Sequence, residues 1–136
     1  MSVTYADFCT DACDLLHALP STESKLRNSM SRAYYGIYHG ALAYADKVHL
    51  PPISSMAGRT HEKLRAYYLE DLSLDMDVRM KRRRVGYLLK VLVGNRRKAD
   101  YDLETVILQI DADAHYQRCM QCVQVVQELE ALNKAA

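Results

Sequence analysis

Apolar residues recur three and four positions apart along almost the whole chain and scarcely ever alternate. That is the period of one helix face, not of a half-buried strand. The five glycines and three prolines fall at a few places that divide the pattern into segments, so the spacing predicts five helices. The first runs from about Thr4 to Ala18, with Thr4 as N-cap and Asp7 in its first turn. Phe8, Ala12, Leu15, Leu16 and Leu19 line its apolar face, and Pro20 stops it. Ser21 or Ser24 caps a long second helix, which Leu26, Met30, Ala33, Ile37, Ala41 and Ala45 carry to about Lys47. Pro51, Pro52 and the stretch from Ser54 to Gly58 read as a loop.

Thr60 with Lys63 opens a short third helix to Leu69, and a turn from Asp71 to Asp75 leads to a fourth from about Met76 to Lys98. Gly86 and Gly94 are expected to interrupt that helix, since glycine costs about 1 kcal/mol against alanine in a helix interior. Asp111 or Asp113 caps the last helix, whose Cys119, Val123, Val126 and Leu129 face a core. Four or five antiparallel helices on short connections make an all-α, up-and-down bundle the expected architecture. At 136 residues the chain fits one domain, residues 1–136, with enough core to fold without disulfides. It has no long apolar run and no basic segment leading into an apolar one at its start. The expectation is a cytoplasmic protein with no membrane contact.

Net charge is only +1, which carries no argument, but its distribution does. Nine basic residues and no acidic one lie between Val78 and Ala99: Arg79, Lys81, Arg82, Arg83, Arg84, Lys90, Arg96, Arg97 and Lys98. Such a concentration favours phosphate-bearing partners through counterion release, although a merely solvated helix face has the same composition. Ten tyrosines with one Phe and no Trp add rings suited to half-buried positions where the hydroxyl finds a partner.

Two constellations stand out. Asn28, Arg32, Tyr35 and His39 are spaced four, three and four, one polar stripe on an otherwise apolar helix. Arg32 supplies a permanent cation and His39 an imidazole that exchanges protons near neutrality. A structural network among His39, Tyr34, Tyr35 and Tyr38 is the competing reading. In the second, Arg96 and Asp100 form an i, i+4 pair, either a surface ion pair or a guanidinium aimed at phosphate by a carboxylate.

The run Ser31-Arg32-Ala33-Tyr34-Tyr35-Gly36-Ile37-Tyr38-His39, then Thr60-His61, then Arg96-Arg97-Lys98-Ala99-Asp100-Tyr101-Asp102 resembles the HEPN superfamily, in its small stand-alone prokaryotic branch. The resemblance spans about Leu26 to the last helix. It implies a helical bundle that dimerises, a nucleotidyltransferase-type partner in defence systems, and in many members metal-independent RNA cleavage. Those ribonucleases pair an arginine with a histidine a few residues on. Here Arg96 fits the arginine, but Tyr101 stands where the histidine would be. A phenol of pKa about 10 is a poor base at neutral pH.

Cys9, Cys13 and His17 on the first helix, with His115, Cys119 and Cys122 on the last, would approach zinc geometry only if those helices met. Cysteines at helical spacing on an apolar face are more often small core residues, so no metal or other cofactor is expected. His49 and His61 read as loop and cap residues. The expected function is RNA binding or cleavage, as a ribonuclease-type toxin or antiviral effector. Arg96, His39, Tyr101 and Asp100 would carry the chemistry; Arg32, Tyr35, Arg82, Arg83, Arg84, Arg97 and Lys98 would hold RNA. The alternative is a non-catalytic module that binds RNA or a nucleotide, or docks a partner. In either case a homodimer or larger even assembly is expected.

Overall fold

A computed structural model describes residues 2–70 and 72–135. They form α1 (Tyr5–Leu16), α2 (Glu23–Val48), a 3₁₀ turn (Ile53–Ser55), α3 (Thr60–Leu69), α4 (Met76–Tyr101) and α5 (Gln109–Ala135), with no strand among them. The chain is an all-α helical bundle. α2 is its centre, packed against α1, α4 and α5, while α3 lies mainly on α4.

Contacts along α2 set the directions. Ser29 bonds Ala12 of α1, and an added Cβ at Gly40 would meet Tyr5, so α1 runs antiparallel to α2. Tyr44 meets Arg82, Tyr34 meets Arg96, and Ser31 meets Asp100, which makes α4 antiparallel to α2 as well. Lys81 pairs with Glu128, and Lys98 lines one cleft with His115, so α5 runs antiparallel to α4. The four longer helices thus alternate up and down.

Helix ends depart from the expected residues for local reasons. Thr22, rather than Ser21 or Ser24, caps α2 by accepting from the Lys25 N–H at 3.2 Å. α1 ends at Leu16, and Leu19 lies beyond it, exposed rather than in the core. Neither Asp111 nor Asp113 is the α5 cap: Asp111 sits in the first turn and accepts the Leu108 N–H at 2.9 Å. Asp75 caps α4 through the Val78 N–H at 3.2 Å, and Asp71, the expected start of the preceding turn, lies outside the described residues.

α4 continues through Gly86 and Gly94 to Tyr101. Gly86 is there for closeness, because a Cβ would stand 2.8 Å from Leu69 Cγ and 3.0 Å from Tyr68 Cβ, and α3 could not lie where it does. The C-terminal end of α4 is closed by a residue that sequence reasoning passed over. Arg27 Nη1 donates to the carbonyls of Lys98, Ala99 and Asp102 at 3.3, 3.0 and 3.0 Å, and Nη2 donates to Thr105 O. One guanidinium thereby satisfies the carbonyls a helix leaves open and sits at the negative end of its dipole.

The main core gathers Tyr34, Ile37, Ala41 and Tyr44 of α2 with Leu64 and Tyr68 of α3, Leu89 and Leu92 of α4, and Cys119, Val126 and Leu129 of α5. Val123 only borders it. A smaller core of Leu16, Leu26, Met30, Ala99, Ile107 and Ala112 closes the other end.

Candidate functional site

The tyrosines of α2 and the C-terminal third of α4 meet around Arg96. Its guanidinium carbon lies 5.6 Å from the Tyr34 ring centroid, 5.5 Å from Tyr35 and 6.0 Å from Tyr101. Nη1 donates to Asp100 Oδ2 at 3.2 Å, and Ser31 Oγ donates to the same oxygen at 3.4 Å. Arg96 is 8% exposed and its Nε is buried without a partner. This is far from a surface ion pair. The side chain is held by rings and a carboxylate in a medium where its field is weakly screened.

Into this stack α3 inserts His61. Its ring lies 4.3 Å from Tyr38 and 5.7 Å from Tyr34, and Nδ1 shares a 2.8 Å hydrogen bond with the Tyr34 hydroxyl. Burial lowers the His61 pKa below the usual 6.5, and the positive fields of Arg96, Arg65 and Arg97 lower it further. Burial raises Tyr34 above the ordinary phenol range, so its hydroxyl stays protonated. His61 was expected to be a cap residue. Instead Arg59 is the N-cap of α3 and His61 faces the bundle. In the sequence Thr60-His61 stands out only through the family resemblance, because the partner that places His61 in the site is 27 positions away.

His39 also meets Tyr38, with ring centroids 5.1 Å apart in an edge-on contact, and burial lowers its pKa too. Two imidazoles therefore contact one phenol. Arg32 shares the His39 side without reaching Arg96: it lies 5.7 Å over Phe8, whose ring is 5.1 Å from His39. Arg32, Tyr35 and His39 thus keep the common face read from their spacing, and only Tyr35 touches the guanidinium. Tyr101 is 76% exposed, an open ring over the Arg96 stack.

The basic segment does not line one groove. Arg82 packs 5.5 Å over both Tyr44 and Tyr67 and donates to the Tyr44 hydroxyl, about 21 Å along α4 from Arg96 at 1.5 Å per residue. Arg83, Lys90 and Arg97 instead share an exposed stripe with Tyr87, at helical spacings of four, three and seven from one to the next. These three cations form no ion pair among the described residues. Arg84 and Lys98 are exposed to one side of that stripe.

The cysteines are free, with Cys119 and Cys122 buried in the core. Burial drives the Cys119 thiol well up and Cys122 to about 12, which keeps both protonated. Among the described residues no group of three or more His, Cys, Asp or Glu is placed to hold a metal ion. No helix among them is long and apolar enough to cross a membrane.

No family model, curated protein or solved structure matches this chain.

Proposed function

We propose that this chain binds single-stranded RNA along α4 and cleaves it without a metal ion at the Arg96 end, in the manner its resemblance to HEPN ribonucleases implies. The observation that carries this reading is that two imidazoles, His39 and His61, both lie against Tyr38, and that His61 stands in the field of the fixed Arg96 guanidinium. In the proposed step one neutral imidazole takes the proton of a ribose 2′-hydroxyl. The 2′-oxygen bonds to the adjacent phosphorus, the bond to the 5′-oxygen breaks, and the other imidazole, in its protonated form, gives that oxygen its proton. Arg96 and the exposed Arg97 supply positive potential for the charge that develops on phosphate. Tyr101 stacks a base or ribose on its exposed ring. The products are a 2′,3′-cyclic phosphate and a 5′-hydroxyl.

Arg83, Tyr87, Lys90 and Arg97 give the strand alternating cations and a ring, which suits phosphate spacing and base stacking together. In this proposal the protein works in the cytoplasm as a toxin or antiviral effector. A second copy covers the exposed Leu103 beside the site, and a nucleotidyltransferase-type protein is its heterologous partner. A non-catalytic RNA-binding role is favoured by one feature, the burial of Arg96 and its commitment to Asp100.

The test is incubation of purified protein with end-labelled single-stranded RNA in EDTA. Fragments ending in cyclic phosphate support cleavage. Binding without fragments selects the non-catalytic reading, and neither binding nor cleavage overturns both.

A further inference from the structure

A second polar cleft, of about 370 Å³, opens between α4 and α5. It is separate from the Arg96 stack, because Lys98 stands two residues beyond Arg96 and so points to nearly the opposite side of α4. Lys98 comes from α4 and Arg118 from α5, one cation on each wall, with Asn95 beside Lys98. Both cations are exposed, and neither forms an ion pair among the described residues. Asp111 is the only acid in the lining, and its carboxylate already accepts the Leu108 N–H at 2.9 Å.

His115 also lines the cleft, and its hydrogen bonding is incomplete. The ring is 2% exposed, and Nε2 lies 2.9 Å from the Met30 carbonyl. A carbonyl only accepts, so Nε2 carries the proton and Nδ1 is left as an acceptor. Nδ1 is buried and has no partner. Burial lowers the His115 pKa to about 4, so this tautomer stays neutral in ordinary buffers. A buried acceptor without a donor is costly, and a ligand hydroxyl is one way to meet it.

We propose that the α4–α5 cleft binds a small ribonucleotide monophosphate, its phosphate between Lys98 and Arg118 and a hydroxyl donating towards His115. Two separated cations suit a phosphate dianion, Asn95 adds a donor and acceptor for a base or sugar, and the volume lies in the ordinary range for small-ligand sites. The site stands independently of RNA cleavage at the Arg96 end.

The experiment is a nuclear magnetic resonance titration of the full-length, nitrogen-15-labelled chain with adenosine 5′-monophosphate, and separately with inorganic phosphate. Saturable shifts are expected at the His115 ring and at the Lys98 and Arg118 backbone amides, with the Arg82 backbone amide, about 21 Å along α4 from Arg96, as internal reference. A variant with Lys98→Gln and Arg118→Gln, both on exposed positions, should bind the nucleotide at least roughly tenfold more weakly while keeping its folded spectrum. Phosphate alone should bind more weakly than the nucleotide. Equal affinity for both would show an anion site that ignores the nucleoside and would overturn the ligand class. Absence of saturable shifts at millimolar nucleotide, or shifts unchanged in the double variant, would overturn the site.

Discussion

Two arginines of α4 are held in nearly the same way and differ in what surrounds them. Arg82 lies over Tyr44 and Tyr67, and Arg96, fourteen residues on, lies over Tyr34 and Tyr35, at 5.5 to 5.6 Å in all four cases. Both project from about the same side of the helix towards α2. Arg82 donates to the Tyr44 hydroxyl at 3.0 and 3.2 Å. Arg96 bonds the Asp100 carboxylate, and beside it stand the exposed ring of Tyr101 and His61, which lies under its field. An arginine on a tyrosine pair is thus a packing device in this fold. At the Arg96 end the same device is joined by His61, on which the proposed RNA cleavage relies.

The sharpest way to break that contrast is to remove an imidazole. His61→Ala is expected to lower RNA cleavage by roughly 10²–10⁴-fold, the usual contribution of a positioned acid or base, with the helical circular dichroism retained. Unchanged cleavage would return His61 to the role of a packing residue.

Acid should act on the buried imidazoles. For a histidine whose folded pKa is lowered, stability is complete above the unfolded value of about 6.5 and declines as pH falls towards the folded value. For His115, at about 4, the decline amounts to about 3 kcal/mol across that window. Urea denaturation at a series of pH values measures it, and His115→Leu should flatten most of the slope. The pH–rate profile of cleavage should have both limbs below 6.5, since burial lowers His39 and His61 alike.

Stability should treat the two arginines equally. Arg82→Ala leaves the Tyr44 hydroxyl, in a residue 2% exposed, without its guanidinium donor, and Arg96→Ala strips Asp100 of its cation. Each is expected to cost about 1–3 kcal/mol by urea denaturation. A tenfold smaller effect at either position would show that the two stacks are not equivalent.

The smallest effect is expected on the outer face of α4. Replacing Arg83, Lys90 and Arg97 together by Gln should make the salt dependence of RNA binding shallower by about 2 in log–log slope, at about 0.7 per phosphate contact. An unchanged slope would place the strand elsewhere.

The helices were legible because their apolar period runs on for many residues, and α2 and α4 were found nearly whole. What period cannot give is how close or at what rotation two helices meet. Gly86 looked like a break and is where α3 comes nearest to α4. The Arg82 to Arg84 run looked like one patch, yet the 100° turn between neighbours puts Arg82 on tyrosines and Arg83 in water. Arg96, Asp100, Tyr35 and Tyr101 were visible as a group because two short segments hold them. His61 was not, since only the docking of α3 brings it to Tyr34, and Lys98 looked like a neighbour of Arg96 although it faces a different cleft.

The most direct measurement sets the two arginines side by side in one assay. Single-stranded RNA is cleaved in EDTA by wild type, Arg82→Lys and Arg96→Lys, all confirmed folded, and the initial rates are compared. Lysine keeps the charge but loses the planar stacking on the tyrosines. The expected result is a large loss of rate for Arg96→Lys and a rate near wild type for Arg82→Lys. Equal rates in both variants, or no cleavage by the wild type, would contradict the assignment of RNA chemistry to the Arg96 end.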